Sequence, residues 1–128
     1  MILVDACVLF DHLRGKDLRL AGYFRSLPCA VCGITRAEVL HGARHPADRA
    51  ALVRWLNCFA QVLVPDSTWD CVGDNLAKLR TSGITVPFPD VVLASVAIEG
   101  AHEVWSRDAH FPVMRRVLTA LRLFPEPP

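Results

Sequence analysis

The stretch MILVDACVLFDHLRG, residues 1–15, decides how the chain is read. Met1 to Val4 form an apolar run that ends on Asp5, and Val8 to Arg14 carry a helical pattern that Gly15 ends. A short strand, apolar on both faces and passing directly into a helix, is the first β–α unit of a buried parallel sheet. The run also poses a question: why should a buried strand finish on a carboxylate? Asp5 can serve as a helix cap, as a core acid held by a cation, or as the first ligand of a metal site, and these fifteen residues leave all three open.

The rest of the chain repeats the unit. Residues 29–33 and 61–64 read as short apolar strands, 103–106 as a fourth, and 121–124 as a last edge strand. Between them lie helical patterns over 17–27, 35–44, 48–59 and 66–79, with Gly83 just beyond the last. Another helix, opened by Pro89, runs to Gly100, and a short helical piece follows Phe111. Strands alternating with helices predict a three-layer α/β/α fold with a mostly parallel central sheet. No repeat or internal linker interrupts it. The expectation is one domain over residues 1–128, with a frayed tail at 125–128.

Length and composition narrow the function classes. A chain of 128 residues builds a sizeable core without disulfides or a structural metal. Apolar residues make up 52% of it and the mean hydropathy is +0.31, yet no run approaches the ~18 residues that span a bilayer. No basic region precedes the first apolar stretch, so a secretory leader is not expected and the cytoplasm is. The excess apolar surface is expected to cover a partner. A net charge of +1 gives no global nucleic-acid footprint. Five cysteines, an odd number, fit a reducing compartment. Cys29 and Cys32 have redox-motif spacing but fall in a strand, whereas a redox thiolate belongs at a helix start.

The acids carry the chemistry. In a parallel sheet, ligands bind beyond the carboxyl ends of the strands. Asp5 follows the first strand, and Glu38 lies in the first turn of the helix after the second. Asp90 starts the helix that feeds the fourth strand, and Asp108 comes shortly after that strand. All four map to one edge. Each also has an ordinary explanation: Thr35 and Glu38 form a capping box, Asp90 favours a helix dipole, and Asp108 caps a turn. Taken together they are harder to explain that way, because two carboxylates ~5 Å apart repel by roughly 3 kcal/mol at an effective dielectric near 20. An oxygen-only donor set, with no converging His or Cys, selects Mg²⁺ or Mn²⁺ and suits phosphodiester hydrolysis.

Four blocks, MILVDACVLFDHLRG, GITRAEVLHGAR, PDVVLASVAIEGA and VWSRDAHF, resemble in order and spacing those of PIN domains, in particular VapC-type toxins of bacterial toxin–antitoxin pairs. The resemblance covers nearly the whole chain. It implies a Mg²⁺-dependent endoribonuclease, with the metal held chiefly by Asp5 and Asp90 and by Asp108 directly or through water. It further implies that Glu38 orients metal-bound water, that Ser106 hydrogen-bonds an acid, that the chain forms a homodimer, and that a cognate antitoxin covers the groove with its C-terminal segment. Where the family commonly has Thr and Ser after the first acid, this chain has Ala6 and Cys7. His110 stands where an acid is frequent and reads as a solvated surface residue.

Other patterns are weaker. Cys29, Cys32, His41 and His45 imitate a zinc finger at the wrong spacing. Cys7 occupies the position where a HAD-type phosphotransferase needs its second aspartate, and no phosphate-binding glycine motif occurs. Arg14, Lys16, Arg36, Arg44 and Arg107 lie near the acid edge in sequence and are candidates for steering RNA phosphates. Trp55 and Trp69 read as core or dimer contacts. The alternative function is a catalytically inactive PIN-fold module that binds RNA or protein.

Overall fold

The computed structural model describes all of residues 1–128. Five short strands form one sheet: β1 (Ile2–Val4), β2 (Cys29–Cys32), β3 (Ala60–Val62), β4 (Glu103–Trp105) and β5 (Arg122–Leu123). Seven helices surround it: α1 (Ala6–Leu13), α2 (Leu20–Ser26), α3 (Gly33–His41), α4 (Pro46–Leu56), α5 (Thr68–Thr81), α6 (Phe88–Gly100) and α7 (His110–Arg115). Every strand pairing is parallel and the order is β3-β2-β1-β4-β5. The sheet is thus entirely parallel, as the doubly apolar strands require: with both faces covered, neither can alternate with polar residues.

Alternation along each strand divides the core in two. Ile2, Val4, Cys29, Val31 and Trp105 point into one apolar layer, under α1, α2, α3 and α4. Leu3, Ala30, Cys32 and Val104 point into the other, against α5, α6 and α7. Cys29 and Cys32 therefore occupy opposite faces, which removes both the redox and the zinc-finger arrangements. Burial pushes the Cys29 thiol up to about 11, as expected of an inert core cysteine.

Helix ends follow the punctuation of the sequence with three departures. Gly15 takes a positive φ of 67° after α1, where its N–H reaches the His12 carbonyl at 3.0 Å. Helix α6 instead ends on Ala101 in the left-handed region, at φ 53° and ψ 40°. Glycine is needed one residue earlier, since a side chain on Gly100 would overlap the His102 ring. Helix α3 begins at Gly33, so Thr35 is a buried interior residue and no capping box with Glu38 forms. Helix α2 starts at Leu20 rather than near Asp17, whose Oδ1 accepts from the Arg19 N–H at 3.1 Å and holds the segment in a turn. The tail expected to fray is tied down: Glu126 Oε2 accepts from Trp105 Nε1 at 3.0 Å, and the Pro128 carbonyl from Arg19 at 2.8 Å.

Chain reversal of direction positions the site. From β1 the chain steps outward through β2 to β3 on one side and, after returning, through β4 to β5 on the other. The switch point lies between β1 and β4, where the Asp5 N–H donates to the Trp105 carbonyl at 2.9 Å. A crevice opens beyond the carboxyl ends of strands that diverge in this way.

Candidate metal centre at the carboxyl edge of the sheet

Asp5 leaves β1 in an extended conformation and caps α1, accepting from the Ala6 N–H at 2.8 Å. It is 5% exposed and no arginine pairs with it. Its Oδ2 accepts instead from Ser106 Oγ at 2.7 Å, across the gap between β1 and β4, and from Cys7 Sγ at 3.2 Å. Burial, and then the Asp5 charge, push the Cys7 thiol up to about 11, which keeps the proton that donates to Asp5. Cys7 thus stands in for the hydroxyl that the family pattern places there.

Ser106 has three neighbours. Besides donating to Asp5, it accepts from the Asp108 N–H at 3.0 Å and lies 3.4 Å from Cys7 Sγ. One hydroxyl thereby links the ends of β1 and β4 and fixes the turn that presents Asp108.

Asp90 enters from the opposite layer, in the first turn of α6, and is 9% exposed. Burial raises its carboxyl above the ordinary range, and the Asp5 and Asp108 charges add to this against the lowering effect of His110. Glu38, in α3, is raised by burial and then by the charges of Asp5 and Asp90. Asp90 thus lies within electrostatic reach of Asp5, Glu38 and Asp108, although 103 positions separate Asp5 from Asp108 in sequence.

His110 is the residue that sequence reading misplaced. It is not an isolated surface side chain: its Nδ1 lies 2.8 Å from Asp90 Oδ2 and 2.9 Å from Asp108 Oδ1. These three donor atoms fall within 4.8 Å of each other, a spacing compatible with one shared cation. The converging donor set is therefore mixed oxygen and nitrogen, not oxygen alone. The signal lay in DAH, a histidine two residues beyond the acid at the start of a helix, but only the approach of α6 makes it converge.

Electrostatics favour a bound cation here. Carboxylates at the observed limit of 4.8 Å repel by about 3 kcal/mol at an effective dielectric near 20. Burial first, and neighbouring acid charges after it, favour the protonated forms of Glu38 and Asp90, and a divalent ion would offset the charge part. The donors fit a small divalent ion that prefers carboxylate ligands.

The arginines divide. Arg107, one residue from Ser106, is held by Asp11 at 2.8 Å, by Asp17 at 2.7 Å and by Glu126, so its charge is neutralised within the chain. Arg36 bonds Asn57 Oδ1 at 2.8 Å, a neutral partner that leaves its charge uncompensated. The Arg14 guanidinium sits 5.1 Å from the Phe10 ring centroid. Trp55 stacks on His12, with ring centroids 5.4 Å apart, whereas Trp69 is 48% exposed and not a core residue.

The architecture is a PIN fold, the class to which the four sequence blocks pointed. Among solved structures, the chain is similar to DNA-bound VapBC from Salmonella typhimurium, with TM-score 0.83 and 17% identity over 96% of this chain and 96% of that one. It is similar to VapBC-1 from nontypeable Haemophilus influenzae, with TM-score 0.80 and 14% identity over 97% of each chain. VapBC2 from Rickettsia felis, bound to a DNA fragment from its promoter, gives TM-score 0.78 and 15% identity over 97% of this chain and 98% of that one. No protein-family model and no curated protein sequence matches the chain. At these identities what is shared is the fold, the one found in VapC-type toxins. No helix is long and apolar enough to cross a membrane.

Proposed function

We propose that this chain is a VapC-type toxin, a divalent-cation-dependent endoribonuclease that a cognate antitoxin neutralises. The reading is supported by the close approach of Asp90 and Asp108 at the carboxyl edge, with the charges of Asp5 and Glu38 acting on the same site and no arginine paired to any of the four. Asp17, nearer the surface, is paired with Arg19 and Arg107, whereas Asp90 and Asp108 share only the His110 ring and Asp5 has no basic partner.

Asp90 and Asp108, with Asp5 beside them, would hold Mg²⁺ or Mn²⁺. When bound, such an ion neutralises phosphate oxygens and lowers the pKa of a coordinated water. The chain's own residues do the rest. Glu38, raised by its surroundings, is suited to accept a proton from the water that attacks the phosphodiester in line. Ser106 and Cys7 hold the Asp5 carboxylate in one orientation, and Asp5 would add its negative charge to the site that holds the ion. Arg36, Arg14, Arg44 and Lys16 steer the phosphate backbone and read no bases.

A partner is supported separately. An open apolar cavity of about 620 Å³ between α1, α2 and α4 is lined by His12, Phe24, Trp55 and Phe59, a surface suited to an antitoxin segment. The solved neighbours are toxin–antitoxin assemblies, two of them with DNA, and this chain is assigned the toxin's part in such a pair, acting as a homodimer in the cytoplasm.

The test is expression in a bacterial host, with Mn²⁺ and Mg²⁺ titration of the purified chain. The wild type should arrest growth, cleave RNA and bind the ion, and Asp5→Asn and Asp90→Asn should lose all three. Variants that keep the fold and still arrest growth would remove nuclease activity and leave a binding module.

A further inference from the structure

His110 carries an inference that rests on the divalent-cation reading above and goes beyond it. Its backbone N–H donates to Asp108 Oδ1 at 3.0 Å, which fixes the start of α7 against the acid. Its Nδ1 then stands 2.8 Å from Asp90 Oδ2 and 2.9 Å from Asp108 Oδ1. A single ring nitrogen carries at most one hydrogen, so it cannot make a full hydrogen bond to both oxygens. Nδ1, which bonds Asp90 Oδ2, thus also sits against Asp108 Oδ1, and the three atoms share one small volume. An ion among them would meet one lone pair from each, and the spacing of at most 4.8 Å allows it.

We propose that His110 Nδ1 is a ligand of the bound cation together with Asp90 and Asp108, and that this nitrogen makes the site select a first-row transition ion, such as Mn²⁺, over Mg²⁺. Magnesium demands near-ideal octahedral geometry, gives up water reluctantly and gains little from imidazole. Transition ions accept imidazole nitrogen alongside carboxylate oxygen. The position that holds an acid in the family pattern thus becomes a selectivity determinant in this chain.

The experiment is pulsed electron paramagnetic resonance of Mn²⁺ bound to the purified chain, with calorimetric titration of Mn²⁺ and Mg²⁺, for wild type and His110→Asp. The side chain of His110 is 41% exposed, so the variant should fold, and circular dichroism checks this. The expected result is a nitrogen modulation on wild-type Mn²⁺ that is absent in His110→Asp. The ratio of Mn²⁺ to Mg²⁺ affinity should fall about tenfold or more, the scale on which ligand-shell changes act. Mn²⁺ that binds without nitrogen modulation, or an unchanged ratio, overturns the inference and leaves the nuclease reading standing. No binding of either ion overturns both.

Discussion

Ser106→Ala is the most informative single change, because one hydroxyl joins two of the site's acids. The Ser106 Oγ donates to buried Asp5 at 2.7 Å and accepts from the Asp108 N–H at 3.0 Å. A hydrogen bond to an ionised group is worth about 1.5–3 kcal/mol. The Asp108 amide, in a half-exposed turn, recovers most of its loss from water, so the net cost should be about 2 kcal/mol. For a chain of this length, each kcal/mol moves Tm by roughly 3–5 °C, giving a drop of about 6–10 °C. Cation affinity should weaken 10–100-fold, ~1.4–2.7 kcal/mol, since Asp5 then swings on its remaining contacts to Ala6 and Cys7. The assay is urea unfolding in chelator, followed by calorimetric titration of Mn²⁺, with Ser106→Thr as the variant that keeps the hydroxyl. A stability change within about 0.5 kcal/mol, the range of a neutral surface substitution, together with unchanged affinity, would show that the hydroxyl does not organise the site.

Two further predictions follow from the same geometry. Glu38 and Asp90 have raised pKa values in the fold, so their contribution to stability is complete below the ordinary values of 4.5 and 3.8 and is lost as pH rises through the raised ones. The part of the metal-free chain's stability that these two acids carry should therefore fall as pH rises above their ordinary values, against the opposite slope from His102. Glu38→Gln should make the profile less falling, and saturating Mn²⁺ should do the same. Urea midpoints across that range measure all three, and a profile unchanged by Glu38→Gln would place the acid outside the cluster. Ala101→Gly should stabilise the fold by about 0.5–1 kcal/mol, because the left-handed φ of 53° costs a residue with a Cβ more than glycine loses in unfolded-state entropy. A lower Tm for this variant would contradict that account of the end of α6.

Local rules in the sequence were enough for the elements and their layering. Ile2 to Val4, and Cys29 to Cys32 without a charged residue, read as strands of a sheet covered on both sides, and the parallel order followed from the helices between them. The same reasoning assembled the acids, since any residue just past a parallel strand, or at the head of a helix leading to one, lies at the carboxyl edge. Distances across the edge lay beyond it. The meeting of His110 with Asp90 depends on how α7 docks against α6, a contact between residues 20 positions apart that no periodicity encodes. The capture of Arg107 depends on a tail that local rules leave frayed, because the bonds from Trp105 and Arg107 to Glu126 exist only once β4 is in place. Sequence by itself determined which residues reach the edge, because that follows from strand direction and helix phase, which are local. Tertiary structure alone decided which of them touch, because charge and hydrogen bonding act over a few ångströms and those separations are set by packing between elements.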